Sequence, residues 1–590
     1  MQQSVTDAQA ARITGYILLL VFFGLGASSN GLRTTFHDTQ TTSSPGELNF
    51  WLGHALLLFP ASVMIGYGFA RQLQALIGRV VDAVGALGPR ERRLGLIGLT
   101  ILVAAGARIG RAVFLLDLPI TDDEYAVDFG GRILASGHVM THLALPREAL
   151  PDLFLYFRNG AVGSFDWIGA QAISAVAYGT GLSPLVWALL AAVPVPALAV
   201  LMARRLGAQW GLAAAVLFLC SPMALMLSMT THAHLASRAF VALALLAFGR
   251  ADRDGGVGPW ALTGCCLGLA FLCRPLETLF FSAPLIAWTL YQTVRRTRAY
   301  RAALPGLVLG GAVFAAIFLA HSYAMTGNPL LPARFAVPSN TDVMAASLWA
   351  RFGDNVSYNV FMLAIWFLGP LGLVLIAAGV LTDRFTKLLG LCVTADLCLA
   401  FFHDNPGLHI VGPIHYSECA VPLTIIATHG VANVLRAARR HLVDTRIVAA
   451  PIAAALVLGL GIFSSRQAFA LREQAWVQRE VYGAIERGVY DPGGRKAVVF
   501  TPWMFAIVNA SPALRDTGTW VHDWPRPQLD LSDQVLFLRN APGVERDVRA
   551  RLADRRFFRI QRDSRSPFLV LVPLDGGEPI PLNTLGVIGR

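Results

Sequence analysis

The sequence predicts a polytopic α-helical membrane protein with a small C-terminal α/β domain outside the bilayer. Three observations carry this prediction. The 590 residues are 55% apolar and only 14% charged, against about a quarter charged in soluble domains. Apolar runs such as "ITGYILLLVFFGLGASS" (13–29) and "IVAAPIAAALVLGLGIFSS" (447–465) recur along the chain. Each is close to the roughly 20 residues with which a helix crosses a bilayer, its backbone hydrogen bonds satisfied internally. Past residue 465 charge returns, and short alternating segments replace the long runs.

About 13 spans are expected, at 13–29, 50–70, 94–117, 184–203, 210–228, 234–250, 259–273, 277–292, 303–323, 358–381, 386–402, 415–434 and 447–465. The first reads as an uncleaved helix, although "GASSN" resembles a small-residue cleavage region. With the N-terminus inside, the even-numbered spans end in "RQLQALIGRVVDAVGALGPRERR", "ARRLG", "GRADRDG", "VRRTRAYR", "TDRFTK" and "RAARRHLVDTR". Arginine at all six ends meets the positive-inside rule. It also accounts for the net charge of +11 without a nucleic-acid partner. Three parts follow: two N-terminal helices (1–93), a transmembrane core (94–465) with an acidic outer loop (118–165), and an outer domain (466–590). In that domain "KAVVF", "DQVLFLRN" and "PFLVLVPL" read as strands and "VERDVRARLADRRF" as a helix. The seven cysteines match no zinc or redox spacing and read as small core hydrophobes.

The acidic loop is the anomaly. In "ITDDEYAVDFGGRILASGHV" (120–139), Asp122, Asp123, Glu124 and Asp128 crowd together straight after an apolar run. Carboxylates near a membrane are costly unless they face water or a partner. Acids at a helix start also complement its dipole, so a cap is the plain alternative. The order expected is span end, acidic cap and a short interfacial helix ending near Gly137.

This stretch resembles the first outer loop of polytopic glycosyltransferases of the C-type fold, enzymes that use polyprenyl-phosphate sugars. They include protein mannosyltransferases, aminoarabinose transferases and arabinofuranosyltransferases. The resemblance rests on Asp122, Asp123, Tyr125, Arg132, Leu134 and Gly137. It continues through "THAHLASRAFVALALLAFGRA", "GLAFLCRPLETLFFSAPL", "YAMTGNPLLP" and "GPIHYSECAVPLTIIATHG", covering roughly 94–440. The order and spacing of these segments carry it, and the tail also looks like the small outer domain of bacterial members. One position departs: the family often has Arg before the late Tyr416, and here it is His415.

The resemblance implies sugar transfer, hexosyl or pentosyl, inverting or retaining, from a polyprenyl-phosphate donor. The acceptor is a glycan, lipid or protein of the cell envelope, outside the bacterial plasma membrane. Such a reaction needs a carboxylate base for the acceptor hydroxyl and cations for the leaving phosphate. Asp122 or Asp123 is the base, in either register. Glu124 orients the acceptor or caps the helix, and Tyr125 accompanies it. Arg274, Arg334, His409 and His415, with Tyr416 beside the last, face outward and are the donor-binding candidates. Arg274 also reads as a helix-end arginine reaching the interface, and His415 as a satisfied interfacial histidine. No cofactor is expected, although Asp122, Asp123 and a distant His offer oxygen and nitrogen ligands to Mg²⁺ or Mn²⁺. The rival classes are a transporter or lipid-linked-sugar flippase, for which an inverted repeat is expected and none is found, and a non-catalytic envelope scaffold, in which Asp122 and Asp123 would be dispensable.

Overall fold

The computed structural model describes residues 5–28, 53–150, 154–337, 348–401, 408–409, 411–488, 490, 494–501, 525–562 and 569–582. Helix α1 (Val5–Ser28) packs on α2 (Phe59–Gly68). Then follow α3 (Ala70–Ala86), α4 (Pro89–Phe114) and α5 (Asp122–Ala135). After a short hairpin of β1 (Leu155–Arg158) and β2 (Ala161–Ser164) come α6 (Ile168–Thr180), α7 (Leu185–Leu206) and α8 (Ala208–Cys220). The core continues with α9 (Ala233–Asp254), α10 (Val257–Cys273), α11 (Pro275–Val294) and α12 (Ala303–Thr326). It closes with α13 (Leu348–Val380), α14 (Arg384–Phe401), α15 (Ala420–Arg440) and α16 (Arg446–Phe469).

A helix underlies each expected apolar run, but they are not equal as spans. Among the described residues seven helices are long and apolar enough to cross a membrane, or eight if the bent pair α2–α3 counts as one. Helix α8, at 13 residues, reaches about 20 Å, short of the roughly 30 Å hydrocarbon core. Helix α14 carries Arg384, Lys387 and Asp396. The chain is an integral membrane protein.

The tail forms a five-stranded sheet of order β6-β5-β7-β8-β9, from β5 (Ala497–Thr501), β6 (Val535–Arg539), β7 (Arg556–Arg562), β8 (Leu569–Pro573) and β9 (Ile580–Leu582). The first three strands in that order run parallel and the last two join antiparallel. The helix expected over 544–557 is shorter. It stops at Arg551, and β7 begins at Arg556. The reason is alternate burial: Phe557 packs on one face of the sheet, Phe558 and Ile560 on the other, a period of two that a helix cannot supply.

The sheet joins the acidic loop. Val498, Phe500, Leu536, Leu538 and Phe557 share one apolar core with Phe129 and Ile133 of α5 and with Leu145, Leu150 and Val162. Arg132 of α5 donates to the carbonyls of Pro527 (3.1 Å) and Arg526 (3.3 Å). Helix α5 is therefore held between the tail and α6.

Candidate active site

Helix α5 starts at the acidic cluster itself. Its cap is Thr121, whose Oγ1 accepts from Glu124 N at 3.4 Å, so the carboxylates occupy the first turn and none of them is the cap. The helix ends at Ala135, with Gly137 beyond it at φ +83°. Its Gly130–Gly131 pair permits close packing on α6: a Cβ on Gly130 would lie 2.3 Å from Gln171 Oε1, and one on Gly131 2.4 Å from Ser174 Cβ. That contact fixes the rotation of α5 and hence the direction of each acid.

Glu124 points inward and is fully buried. Oε1 pairs with Arg111 Nη1 at 3.0 Å and accepts from Thr231 N at 2.8 Å and Thr231 Oγ1 at 2.9 Å. Oε2 accepts from Ile120 N at 2.9 Å. Burial raises its carboxyl, but Arg111, His232 and the two backbone N–H groups outweigh that and hold it below the ordinary value. Every contact of Glu124 named here sews the end of α4 and the start of α5 to the loop before α9. His232 joins the same seam, its Nε2 3.0 Å from Thr121 Oγ1. Tyr125 is buried beside it.

Asp122 and Asp123 part company. Asp122 is half-buried, and its Oδ1 accepts from Asp123 N at 3.2 Å. Asp123 is buried, and its charge acts on both Asp166 and Arg274. Asp166 lies between β2 and α6, and neither of its buried carboxylate oxygens has a hydrogen-bond partner among the described residues. Burial first, and then Asp123, push its carboxyl up to about 6. Arg334 Nη1 approaches Asp166 Oδ1 to 3.9 Å from within a cage of Phe154, Phe165 and Trp167, whose ring centres are 5.5, 5.9 and 5.8 Å from the guanidinium. Sequence reasoning missed Asp166. Its one signal is a carboxylate placed directly before an apolar helix in "SFDWIGAQAI".

Arg274 caps α11 and is buried, not snorkelling. It pairs with Glu277, and its Nη2 donates to His415 Nδ1 at 3.2 Å, which leaves the imidazole proton on Nε2. The His415 ring meets His234 at 5.6 Å. Arg274 thus pairs with Glu277, is backed by His415 and His234, and feels the charge of Asp123 from α5 and of Asp166 from the turn between β2 and α6. Tyr416 is fully buried, with its hydroxyl 3.3 Å from Asn359 Oδ1. His409 pairs through β3 (Leu408–His409) with β4 (Gly412–Pro413), and its side chain lies outside the described residues. Among the described residues, no three His, Cys, Asp or Glu side chains form a group able to hold a metal ion. All seven cysteines are free.

Comparison with known proteins bears on the fold. Residues 165–323 match the family model described as dolichyl-phosphate-mannose-protein mannosyltransferase. The structure of ArnT from Cupriavidus metallidurans bound to undecaprenyl phosphate aligns over 78% of this chain and 89% of that chain, with TM-score 0.51 and 14% identity. Its apo form aligns over 79% and 93%, with TM-score 0.52 and 14% identity. The chain has the C-type glycosyltransferase fold. The Archaeoglobus fulgidus oligosaccharyltransferase, in the apo form, aligns more distantly, over 78% of this chain and 69% of that chain (TM-score 0.43, 12% identity). No curated protein matches the chain in sequence. Within the C-type fold, the matched segment opens one residue before Asp166 and contains Arg274, while Asp122 and Asp123 lie before it.

Proposed function

We propose that this protein transfers a sugar from a polyprenyl-phosphate donor to a hydroxyl of a cell-envelope glycan, lipid or protein, on the extracytoplasmic face of the bacterial plasma membrane. The observation that carries the reading is that two carboxylates, Asp123 and Asp166, and the guanidinium of Arg274 are all buried in a C-type fold. The structural relative that binds undecaprenyl phosphate supports a donor of that chemistry. Asp123 is the base. It takes the acceptor proton as the hydroxyl oxygen bonds to C1 and the C1–O bond to phosphate breaks. Arg274 faces the departing phosphate, and Arg guanidinium suits phosphate by its forked geometry. Asp166, with Arg334 beside it, positions the acceptor next to Asp123. The step uses only side chains of the chain, with no resident metal or organic cofactor.

The test separates the two adjacent acids. Asp123→Asn abolishes transfer, measured with purified protein, a synthetic polyprenyl-phosphate sugar and membrane acceptor, while Asp122→Asn keeps most of it. Full activity in Asp123→Asn would end the proposal.

A further inference from the structure

The segment between the second and third apolar runs was expected to be a cytoplasmic loop, and it is helix α3. The chain bends by 82° between α2 and α3, at Phe69, whose φ of −108° and ψ of 21° break the helix. After Ala86 it passes through extended Leu87 and Gly88 into α4, which is a span. Helix α3 therefore lies at 82° to α2 and leads into the span α4.

Its sequence suits that position. Leu73, Leu76, Ile77, Val80, Val81 and Val84 recur at spacings of three and four and fall on one face. Arg71, Gln72, Arg79 and Asp82 fall on the other. The helix packs on α16 and α8, which leaves Leu73, Ile77 and Val84 half-covered. The rest of the apolar face is open: Leu76 is 54% exposed and Val80 45%. Its 17 residues would reach about 25 Å, yet a helix with charge along one face does not cross hydrocarbon.

We infer that α3 is an in-plane helix whose open apolar face inserts among lipid chains, and that its arginines and those at the start of α4 together bind anionic phospholipid headgroups. Two observations favour lipid over a protein occupant. In α4, the next helix in the chain, Leu94, Ile97, Ile101 and Leu102 are exposed as well, and a span must present such residues to acyl chains. The segment 70–93 also holds five arginines against two acids, with Arg90, Arg92 and Arg93 all exposed at the mouth of α4. Basic residues at a membrane surface attract anionic lipid. This inference rests on the membrane spans alone and stands or falls apart from the transferase reading.

The experiment places a tryptophan on each face of the full-length protein in nanodiscs containing lipids brominated near the headgroup. Leu76→Trp, with Val80→Trp as a second site should the first misfold, gains quenching over wild type, and Asp82→Trp, on the opposite face, does not. Brominated phosphatidylglycerol quenches Leu76→Trp at least about twofold more than brominated phosphatidylcholine at equal mole fraction. The combined change of Arg90, Arg92 and Arg93 to Gln removes that difference. No added quenching at positions 76 and 80 would mean that protein covers the face, and equal quenching by the two lipids would remove the anionic partner. Either result overturns the inference.

Discussion

Glu124→Gln separates a structural acid from the neighbouring acids proposed to act in catalysis. The carboxylate is fully buried and its partner Arg111 nearly so, with side-chain exposures of 0% and 11%. Removing one charge from a buried pair leaves the other uncompensated, at a cost of about 3–5 kcal/mol. The amide keeps one carbonyl acceptor, and Arg111 keeps the Met229 carbonyl at 3.0 Å, so about 3 kcal/mol is the better figure. The amide NH₂ then faces either Ile120 N–H or the Arg111 and Thr231 donors, so one orientation or the other sets donor against donor. At about 2.1 cal/mol/K per residue of unfolding entropy, melting of all 590 residues corresponds to a loss of about 2–3 °C, and of about 5 °C if half the chain melts cooperatively. Thermal unfolding in detergent measures this. Because Glu124 is held below its ordinary value, the wild-type advantage is present at neutral pH and fades as pH falls through the carboxylate range. An unchanged midpoint with a collapsed kcat would refute the reasoning and place Glu124 against substrate.

Two further predictions follow from the same geometry. Asp166, raised to about 6, is ionised above that pH and protonates below it, so kcat/KM falls as pH drops through about 6. Arg334→Gln removes a neighbouring positive charge and moves that acid limb upward, whereas a limb that stays put would separate Asp166 from turnover. Arg132→Ala removes the guanidinium that holds the Arg526 and Pro527 carbonyls, so limited proteolysis should cut the tail free of the core several-fold faster. Unchanged cleavage would show that the shared apolar core alone holds it.

Much of this architecture was readable because lipid imposes it. Backbone groups without water must form helices, so apolar runs located helices from 13–29 to 447–465. Asp122, Asp123 and Arg274 stood out as charge in an apolar context. What escaped is long-range. Arg111 meets Glu124 across 13 residues, but Thr231 reaches it across 107, and no local pattern announces that seam. Asp166 gains its character from burial and from Asp123, neither visible in "SFDWIG". Helix α3 was hidden by its arginines, which register as loop charge unless the apolar spacing between them is counted as well. The tail strands were legible by alternation, but their shared core with Phe129 and Ile133 depends on surfaces about 400 residues apart in sequence.

The central claim is that Asp123 drives transfer from a polyprenyl-phosphate sugar. Lipid extracts of a strain lacking the protein test it most directly, with wild type or Asp123→Asn restored on a plasmid and equal membrane levels verified. The account predicts that the deletion and the Asp123→Asn strain both accumulate one polyprenyl-phosphate sugar and lack one residue in an envelope product, and that wild type reverses both. A lipid profile unchanged by the deletion, or fully restored by Asp123→Asn, would contradict it.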